Sequence, residues 1–468
     1  MIFDQPPFRQ PCGLPPPSVG EDRQKFFHPP NAMLLGKANC RCHPLPVTEL
    51  TSPLQIPDYR RFWLSRFASS FATTGMIIII GYQLYDVARS DYGMGIREAA
   101  FQLGLLGAAQ FFPMLLLTPL AGLVADRLER RTVAALAQLI DLGIALALAV
   151  ATARDAVTLP LLFTLGALHG TARVFIGPAL SSIAPNIVPA ALLPRAIAMS
   201  SLAWQTATIA GPVLAGILFG RDPALPYWVS AALLALSTVL VMTVRRVPPP
   251  PGNRDTHPLR QILEGFRYVR RERFLLGCVT LDLFAVLLGG ATALLPVFAR
   301  DILHVGPEGL GQMRAAPALG AAAVGLFLSF RPIHHNVGVK MLAGVAVFGA
   351  ATLAFGLSRS FPLSLAMLAI LGAGDMVSVF IRNTLVQLNT PDEVRGRVQS
   401  ISSLAISASN ELGELQSGLA AALLGATGAV VFGGAGAIIV TVLWARLFPE
   451  LPAAKTFAPQ YRHKEQSP

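Results

Sequence analysis

Two apolar runs of this sequence, 99–124 and 132–153, are divided by Gly122-Leu123-Val124-Ala125-Asp126-Arg127-Leu128-Glu129-Arg130-Arg131. Each run has the length of roughly 20 residues that a helix needs to cross the hydrocarbon core of a bilayer. A short charged turn between two such runs predicts a membrane-spanning helical hairpin. The small Gly122 lets the two helices approach, and Asp126 stands where it can face arginines and helix N-termini.

Apolar runs of similar length recur on both sides of this hairpin. We place twelve of them at 62–86, 99–124, 132–153, 157–180, 196–219, 225–244, 274–299, 309–330, 338–358, 362–384, 398–424 and 429–447. Hydrophobic residues make up 53% of the 468 positions and charged residues only 13%, whereas a soluble domain carries roughly 25% charged residues. Lipid must therefore cover most of the surface, and the sequence predicts an all-α membrane protein with about twelve transmembrane helices.

The spacing of these runs divides the chain into five parts. They are a disordered Pro-rich tail at 1–56, six spans within 57–244, a linker at 245–273, six spans within 274–447 and a polar tail at 448–468. The linker begins with a proline run, and from Pro258 onward apolar residues recur at helical spacing opposite a basic face. That pattern predicts an amphipathic helix along the membrane surface.

The distribution of Lys and Arg predicts the orientation of the chain. With the N-terminus inside, the loops on the inner side carry more than three times as many Lys and Arg residues as the outer loops. This asymmetry predicts that the chain spans a bacterial-type plasma (inner) membrane and that both termini lie in the cytoplasm. It also accounts for the net charge of +11 without any binding of nucleic acid.

The charged turn resembles the G-x-x-x-D-R-x-x-R-R loop signature of the major facilitator superfamily. On that resemblance the gate residues are Gly122, Asp126, Arg127, Arg130 and Arg131. The family often has Gly where this chain has Glu129, which puts the exact shape of the turn in question.

A second motif lies in the fifth run, where Gly211, Pro212 and Gly216 resemble a Gly-Pro-x-x-x-Gly pattern of exporters in the same superfamily. Pro212 would bend the helix and the glycines would permit close packing; an ordinary kinked packing helix is the alternative.

Segments of the second half, such as 281–284 and 390–398, resemble the enterobactin-exporter-like (transmembrane secretion effector) branch. The resemblance implies two pseudo-symmetric six-helix bundles that expose a central site alternately to each side of the membrane.

Ionisable residues within the spans are costly, by at least ~2.5–3.5 kcal/mol each on insertion scales, and therefore mark candidate machinery. The candidate proton or substrate site consists of Arg173, Asp282, Arg314, Asp375, Arg382, Glu411 and Glu414. Asp375 and Arg382 are seven residues apart on one helix face, which predicts a pair, and the adjacent seventh and eighth spans predict a pair of Asp282 with Arg314. Glu411 and Glu414 are three residues apart on one helix face, where repulsion between two carboxylates favours protonation of one. The alternative is that these charges only form neutral pairs that hold the helices together.

No enzyme motif stands in the sequence: a nucleotide-binding loop, a zincin helix and a nucleophile elbow are all missing. We expect no cofactor and no metal site, since Cys40-Arg41-Cys42-His43 is a single short cluster in the tail. The sequence predicts a secondary transporter that is not an enzyme. Its expected partners are a small molecule, protons and the lipid bilayer, and we expect a monomer.

The leading hypothesis is proton-coupled export of a small amphipathic compound that resembles a siderophore or a drug. An importer or a lysophospholipid flippase of the same fold is the first alternative. A non-transporting membrane sensor or scaffold is the second.

Overall fold

The computed structural model describes residues 52–181, 183–246 and 258–458, and within these ranges the chain forms helices and no strands. The first half contains six long helices: α1 (Pro57–Ser90), α2 (Ile96–Arg127), α3 (Arg130–Ala153), α4 (Leu159–Ser181), α5 (Leu193–Arg221) and α6 (Leu225–Met242). A short linker helix (Pro258–Arg271) follows.

The second half contains five long helices: α7 (Arg273–Leu288), α8 (Gly306–Phe330), α9 (Val337–Leu357), α10 (Phe361–Leu388) and α11 (Asp392–Leu447). Short helical turns extend α7 as far as Ile302. Inside α11, Gly425 has a φ of 77° and a ψ of 164°, which breaks the helix into two spans. Eleven helices in the described part are long and apolar enough to cross a membrane, and this break raises the number of crossings to twelve.

Local sequence sets where these helices begin. Proline stands in the first turn of six of the long helices, where its missing N–H costs nothing; these prolines are Pro57, Pro160, Pro194, Pro226, Pro307 and Pro362. Helix α2 instead has Gly95 as its N-cap, and the N–H of Gly95 donates to the side chain of Glu98 at 3.0 Å. Because successive helices run in opposite directions, the loops fall on two sides. We call the side that holds Pro57 the near side and the opposite side the far side.

The two halves repeat one packing pattern. In the first half α2 packs on α4 and α3 packs on α4, and in the second half α8 packs on α10 and α9 packs on α10. The most extensive contacts between the halves are those of α2 with α11 and of α5 with α8. The predicted fold, an all-α membrane protein of about twelve spans in two pseudo-symmetric bundles, is confirmed.

Glycine makes the contact between α2 and α11 possible. A Cβ added to Gly418 would lie 2.4 Å from the Cα of Gly104 and 2.7 Å from its nitrogen. Only two residues without side chains allow the helices to come this close. The contact between α5 and α8 is built in the same way, because a Cβ on Gly311 would lie 2.4 Å from the carbonyl oxygen of Pro212.

The linker helix packs against α11 and α7. Val269 is buried, Leu263 and Phe266 are exposed, and Glu264 pairs with Arg397 of α11 at 2.9 Å. This short helix is therefore tied to the second half. Residues 1–51, including Cys40–His43, lie outside the described residues, as do 247–257 and 459–468.

We expect Gly418→Ala to destabilise the protein by about 1–3 kcal/mol, because the added methyl group overpacks the contact with Gly104. The apparent melting temperature of the purified variant measures this effect. Gly143→Ala is the matched control, because a Cβ on Gly143 meets nothing within 4 Å. Equal melting temperatures for the two variants would show that the contact between α2 and α11 is looser than described.

Candidate functional site

A cavity lies between the two halves, and residues of both halves line it. Its lining is mostly aliphatic, and four polar residues stand among the aliphatic ones: Gln110, Thr292, Arg314 and Glu414. Gln110 belongs to the first half and the other three belong to the second half. The side-chain oxygen of Gln110 is buried without a hydrogen-bond partner among the described residues, and Arg314 likewise makes no hydrogen bond or ion pair there.

Glycine also sets the position of Glu414. A Cβ added to Gly107 of α2 would lie 2.8 Å from the Cβ of Glu414 and 3.1 Å from its Oε2. The acid therefore lies directly against the backbone of the opposite half. Any movement of α2 relative to α11 changes the surroundings of this carboxylate.

An ion pair joins the halves one turn from Glu414. Arg173 of α4 lies 3.7 Å from Glu411 of α11, and their side chains are 45% and 12% exposed. The sequence identified both residues as candidates and placed Glu411 beside Glu414, but it gave no indication that Arg173 meets Glu411. The two residues lie in different halves, and no helical spacing relates them.

The structure contradicts both ion pairs that the sequence predicted. Asp282 forms a short ion pair with Arg382, and both side chains are buried. The predicted pairs of Asp282 with Arg314 and of Asp375 with Arg382 are therefore wrong. Helix α7 packs on α10 and α11, which brings Asp282 to Arg382, whereas Arg314 lines the cavity. Asp375 is half-buried on α10 and makes no ion pair with another described residue.

A network of contacts on the far side also joins the halves. Asp301 accepts a hydrogen bond from the Tyr85 hydroxyl at 2.5 Å and pairs with Arg89 at 3.3 Å. Arg300 pairs with Asp86 at 3.1 Å and donates to the Ser90 hydroxyl at 3.0 Å. We call these six residues the far-side network. It ties the end of α1 to the extension of α7, so this structure is closed on the far side.

Sequence reasoning missed the far-side network as a functional element. The signal was a cluster of charges just where the first and seventh runs end. Those positions sit at the predicted membrane surface, where charges need no special explanation. Only the packing of α1 on the turns after α7 shows that the two clusters meet.

The charged turn between α2 and α3 is described only in part. The backbone of Gly122, Asp126 and Arg127 is helical as far as Arg127, but their side chains lie outside the described residues. Arg131 pairs closely with Glu129 and donates to the carbonyl oxygen of Val244 at 2.7 Å. It therefore binds the end of α6 in its own half, and the gate role of this turn, Arg130 included, stays a prediction.

The fifth-run motif packs on both halves. Helix α5 continues through Pro212 without interruption. On one face a Cβ on Gly211 would lie 2.9 Å from the carbonyl oxygen of Phe71 in α1, and on another face a Cβ on Gly216 would lie 2.3 Å from that of Pro307 in α8. The motif thus joins the halves on the far side. Its predicted role in biasing which face opens stays a prediction.

Comparison with known proteins identifies the family. The model of the Major Facilitator Superfamily matches residues 62–414. The chain belongs to the major facilitator superfamily. It is 26% identical over 415 residues to the enterobactin exporter EntS of Escherichia coli O1:K1, a match that covers 86% of this chain and 95% of that one. It is 27% identical over 406 residues to the same exporter of Citrobacter koseri, over 84% and 92% of the two chains.

Solved structures show the same fold at low sequence identity. A bacterial homologue of the human lysosomal transporter Spinster has a TM-score of 0.68 and 14% identity, over 86% of this chain and 98% of that one. The nucleoside transporter NupG has a TM-score of 0.63 and 14% identity, over 84% of this chain and all of that one. Membership of the superfamily, shown by the family match, makes the chain a multi-pass membrane transporter of small molecules and not an enzyme.

Among the described residues no group of three or more His, Cys, Asp or Glu side chains could hold a metal ion. The polar residues of the cavity are instead a guanidinium, a carboxylate, an amide and a hydroxyl. Such groups hydrogen-bond and charge-pair an organic cargo.

Neutralising one partner of the buried Asp282–Arg382 pair should destabilise the protein by about 3–5 kcal/mol, because the other charge stays buried without compensation. We expect Asp282→Asn and Arg382→Gln each to lower the melting temperature and the double variant to recover most of the loss. Transport by the double variant decides the role of the pair. Recovered transport indicates a structural pair, and a stable but inactive double variant shows that one of the two charges acts in transport.

Asp301→Asn should weaken closure on the far side, because it removes the carboxylate that pairs with Arg89. A partly exposed ion pair contributes about 1 kcal/mol, which corresponds to roughly a fivefold change in the ratio of open to closed protein. The measurement is labelling of Thr292→Cys in the cavity by a membrane-impermeant maleimide in intact cells, in a protein whose four native cysteines have been replaced by serine. Asp155→Asn is the control, because Asp155 lies in a far-side turn of the first half with a φ of 51° that Asn also adopts. Equal labelling rates in the two variants would show that Asp301 does not hold the far side closed.

Proposed function

We propose that the protein exports a small amphipathic compound, siderophore-like in its chemistry, in exchange for protons. The observation that carries this proposal is the composition of the cavity between the halves. Its aliphatic walls suit an apolar body, and Arg314, Glu414 and Gln110 supply a cation, an acid and an amide. A cargo that is apolar over most of its surface and polar at a few points matches this lining.

Alternating access follows from where these groups stand. Gln110 moves with the first half, while Arg314 and Glu414 move with the second half. A cargo bound between these groups holds the two halves in one relative orientation, and its release allows the halves to rotate against each other. On the far side this movement must break the pairs of Arg89 and Arg300 with Asp301 and Asp86.

Proton coupling is supported by the two acids of α11. Glu414 lines the cavity and makes no ion pair with another described residue, whereas Glu411 pairs with Arg173 of the opposite half. A carboxyl group that is poor in partners and shielded from water tends to take up a proton. If the cargo and the proton compete for Glu414, each is released when the other binds, which is the requirement for exchange.

The direction of transport and the class of cargo are supported by the relatives named enterobactin exporter. We further propose that the near side faces the cytoplasm of a bacterial inner membrane, since the near-side loops carry most of the Lys and Arg. We propose that the protein acts as a monomer, because the cavity lies within one chain.

The test uses purified protein in liposomes with enterobactin as the cargo and an imposed pH gradient. We expect accumulation of enterobactin that a protonophore abolishes. Glu414→Gln should reduce this accumulation by about tenfold or more, because the coupling between proton and cargo is lost, while movement of the cargo down its own gradient persists. Glu98→Gln is the matched control, since Glu98 lies on the exposed far-side start of α2.

Three outcomes would contradict the proposal in different ways. Accumulation that survives the protonophore removes proton coupling. Accumulation in right-side-out rather than inside-out membrane vesicles indicates an importer. Failure to move enterobactin, with movement of a labelled lysophospholipid instead, indicates a flippase.

A further inference from the structure

A second buried pair of titratable groups lies inside the first half, away from the cargo cavity. His169 of α4 and Asp141 of α3 meet with 2.9 Å between Nδ1 and Oδ1. Their side chains are 1% and 0% exposed, and neither residue lines the cavity. A charged group in so dry a place is costly and marks a functional site unless packing alone explains it.

Packing alone leaves polar atoms of this site without partners. The Nε2 of His169 and the Oδ2 of Asp141 make no hydrogen bond to any described residue. Gln138 lies one turn before Asp141 on the same helix, is fully buried, and has neither amide atom bonded to a described residue. A pair kept only to hold α3 and α4 together would have its hydrogen-bonding atoms satisfied, since unmade buried hydrogen bonds are costly.

The tautomer follows from the contact with the carboxylate. With Nδ1–H donating to Asp141, the lone pair of His169 stands on Nε2, and this nitrogen takes up the proton. Protonation changes the net charge of the pair from −1 to neutral. No other group needs to be oxidised, reduced or transferred.

The pair lies next to the ion pair that joins the halves. Arg173 is four residues after His169, one helical turn away on the same face, and it reaches Glu411 of α11 at 3.7 Å. Glu411 is within electrostatic range of His169. A net charge of −1 on the His169–Asp141 pair attracts Arg173 and competes with Glu411, whereas a neutral pair leaves Arg173 to Glu411.

The other helices around His169 present no further charged partner in the described part of the chain. Helix α2 presses on α4 at Gly170, where a Cβ would lie 2.9 Å from the Cα of the uncharged Gln110. Helix α1 also packs on α4, and its half-buried arginine, Arg66, makes no hydrogen bond or ion pair with His169. The groups that face His169 are therefore Asp141, Arg173 and Glu411.

We propose that the His169–Asp141 pair is a second proton-binding site, outside the cargo cavity, whose charge decides whether Arg173 pairs with Glu411 of the opposite half. The inference rests on the proposed exchange of cargo for protons. His169 and Asp141 are positioning residues in this scheme, since they act on the halves through Arg173 and do not touch the cargo.

The experiment measures exchange of enterobactin across liposomes at equal pH on both sides, as a function of pH. Asp141→Asn keeps an acceptor for the Nδ1–H of His169 but removes the negative charge that favours the histidine cation. The pH profile of exchange should therefore shift relative to that of the wild type. His169→Gln should remove the step due to this pair from the profile. His335→Gln, in an exposed near-side turn, is the matched control, and its pH profile should be the same as that of the wild type.

The outcomes separate this inference from the proposed function. If the wild type still accumulates enterobactin in the presence of the protonophore, the proposed coupling to protons is contradicted. If exchange by the wild type depends on pH, and the profiles of Asp141→Asn and His169→Gln superimpose on the wild-type profile, the second proton-binding site is overturned. The proposed coupling to protons then still stands. If His169→Gln does not fold, the profile of Asp141→Asn decides, because that variant preserves the shape and the hydrogen bond of the native carboxylate.

Discussion

The close approach of α2 and α11 positions most of what lies between the two halves. Gly104 and Gly418 bring the helix backbones together where any side chain would hold them apart. One turn away, Gly107 lets Glu414 lie against α2. A carboxylate in lipid-shielded surroundings is costly, and its position against the partner half means that its surroundings change when the halves move.

The ion pairs discussed above are of two kinds, those within one half and those between the two halves. The pair of Asp282 and Arg382 joins helices within one half, and neither residue lines the cavity, so the two charges neutralise each other without contact to the opposite half. The pair of Arg173 and Glu411 joins different halves, and so do the pairs of the far-side network. Pairs within a half are kept throughout a rocking movement, whereas pairs between halves must form and break.

The site and the fold could be predicted from the sequence to different degrees. Arg173, Arg314, Glu411 and Glu414 were found because charges are rare in apolar runs, and all four lie at the contact or the cavity between the halves. Their partners could not be found in this way. Helical spacing relates only residues of one helix, and it led to the wrong partner for Arg382.

The sequence by itself determined the number of spans, the two halves and the superfamily, because each depends on local hydropathy, on proline and glycine at helix ends, or on one short motif. Only the tertiary structure decided which charges meet. Asp282 reaches Arg382 and Tyr85 reaches Asp301 across 100 and 216 positions of the chain. Ion pairs require contact within a few ångströms, and that distance is set by how whole helices pack against one another.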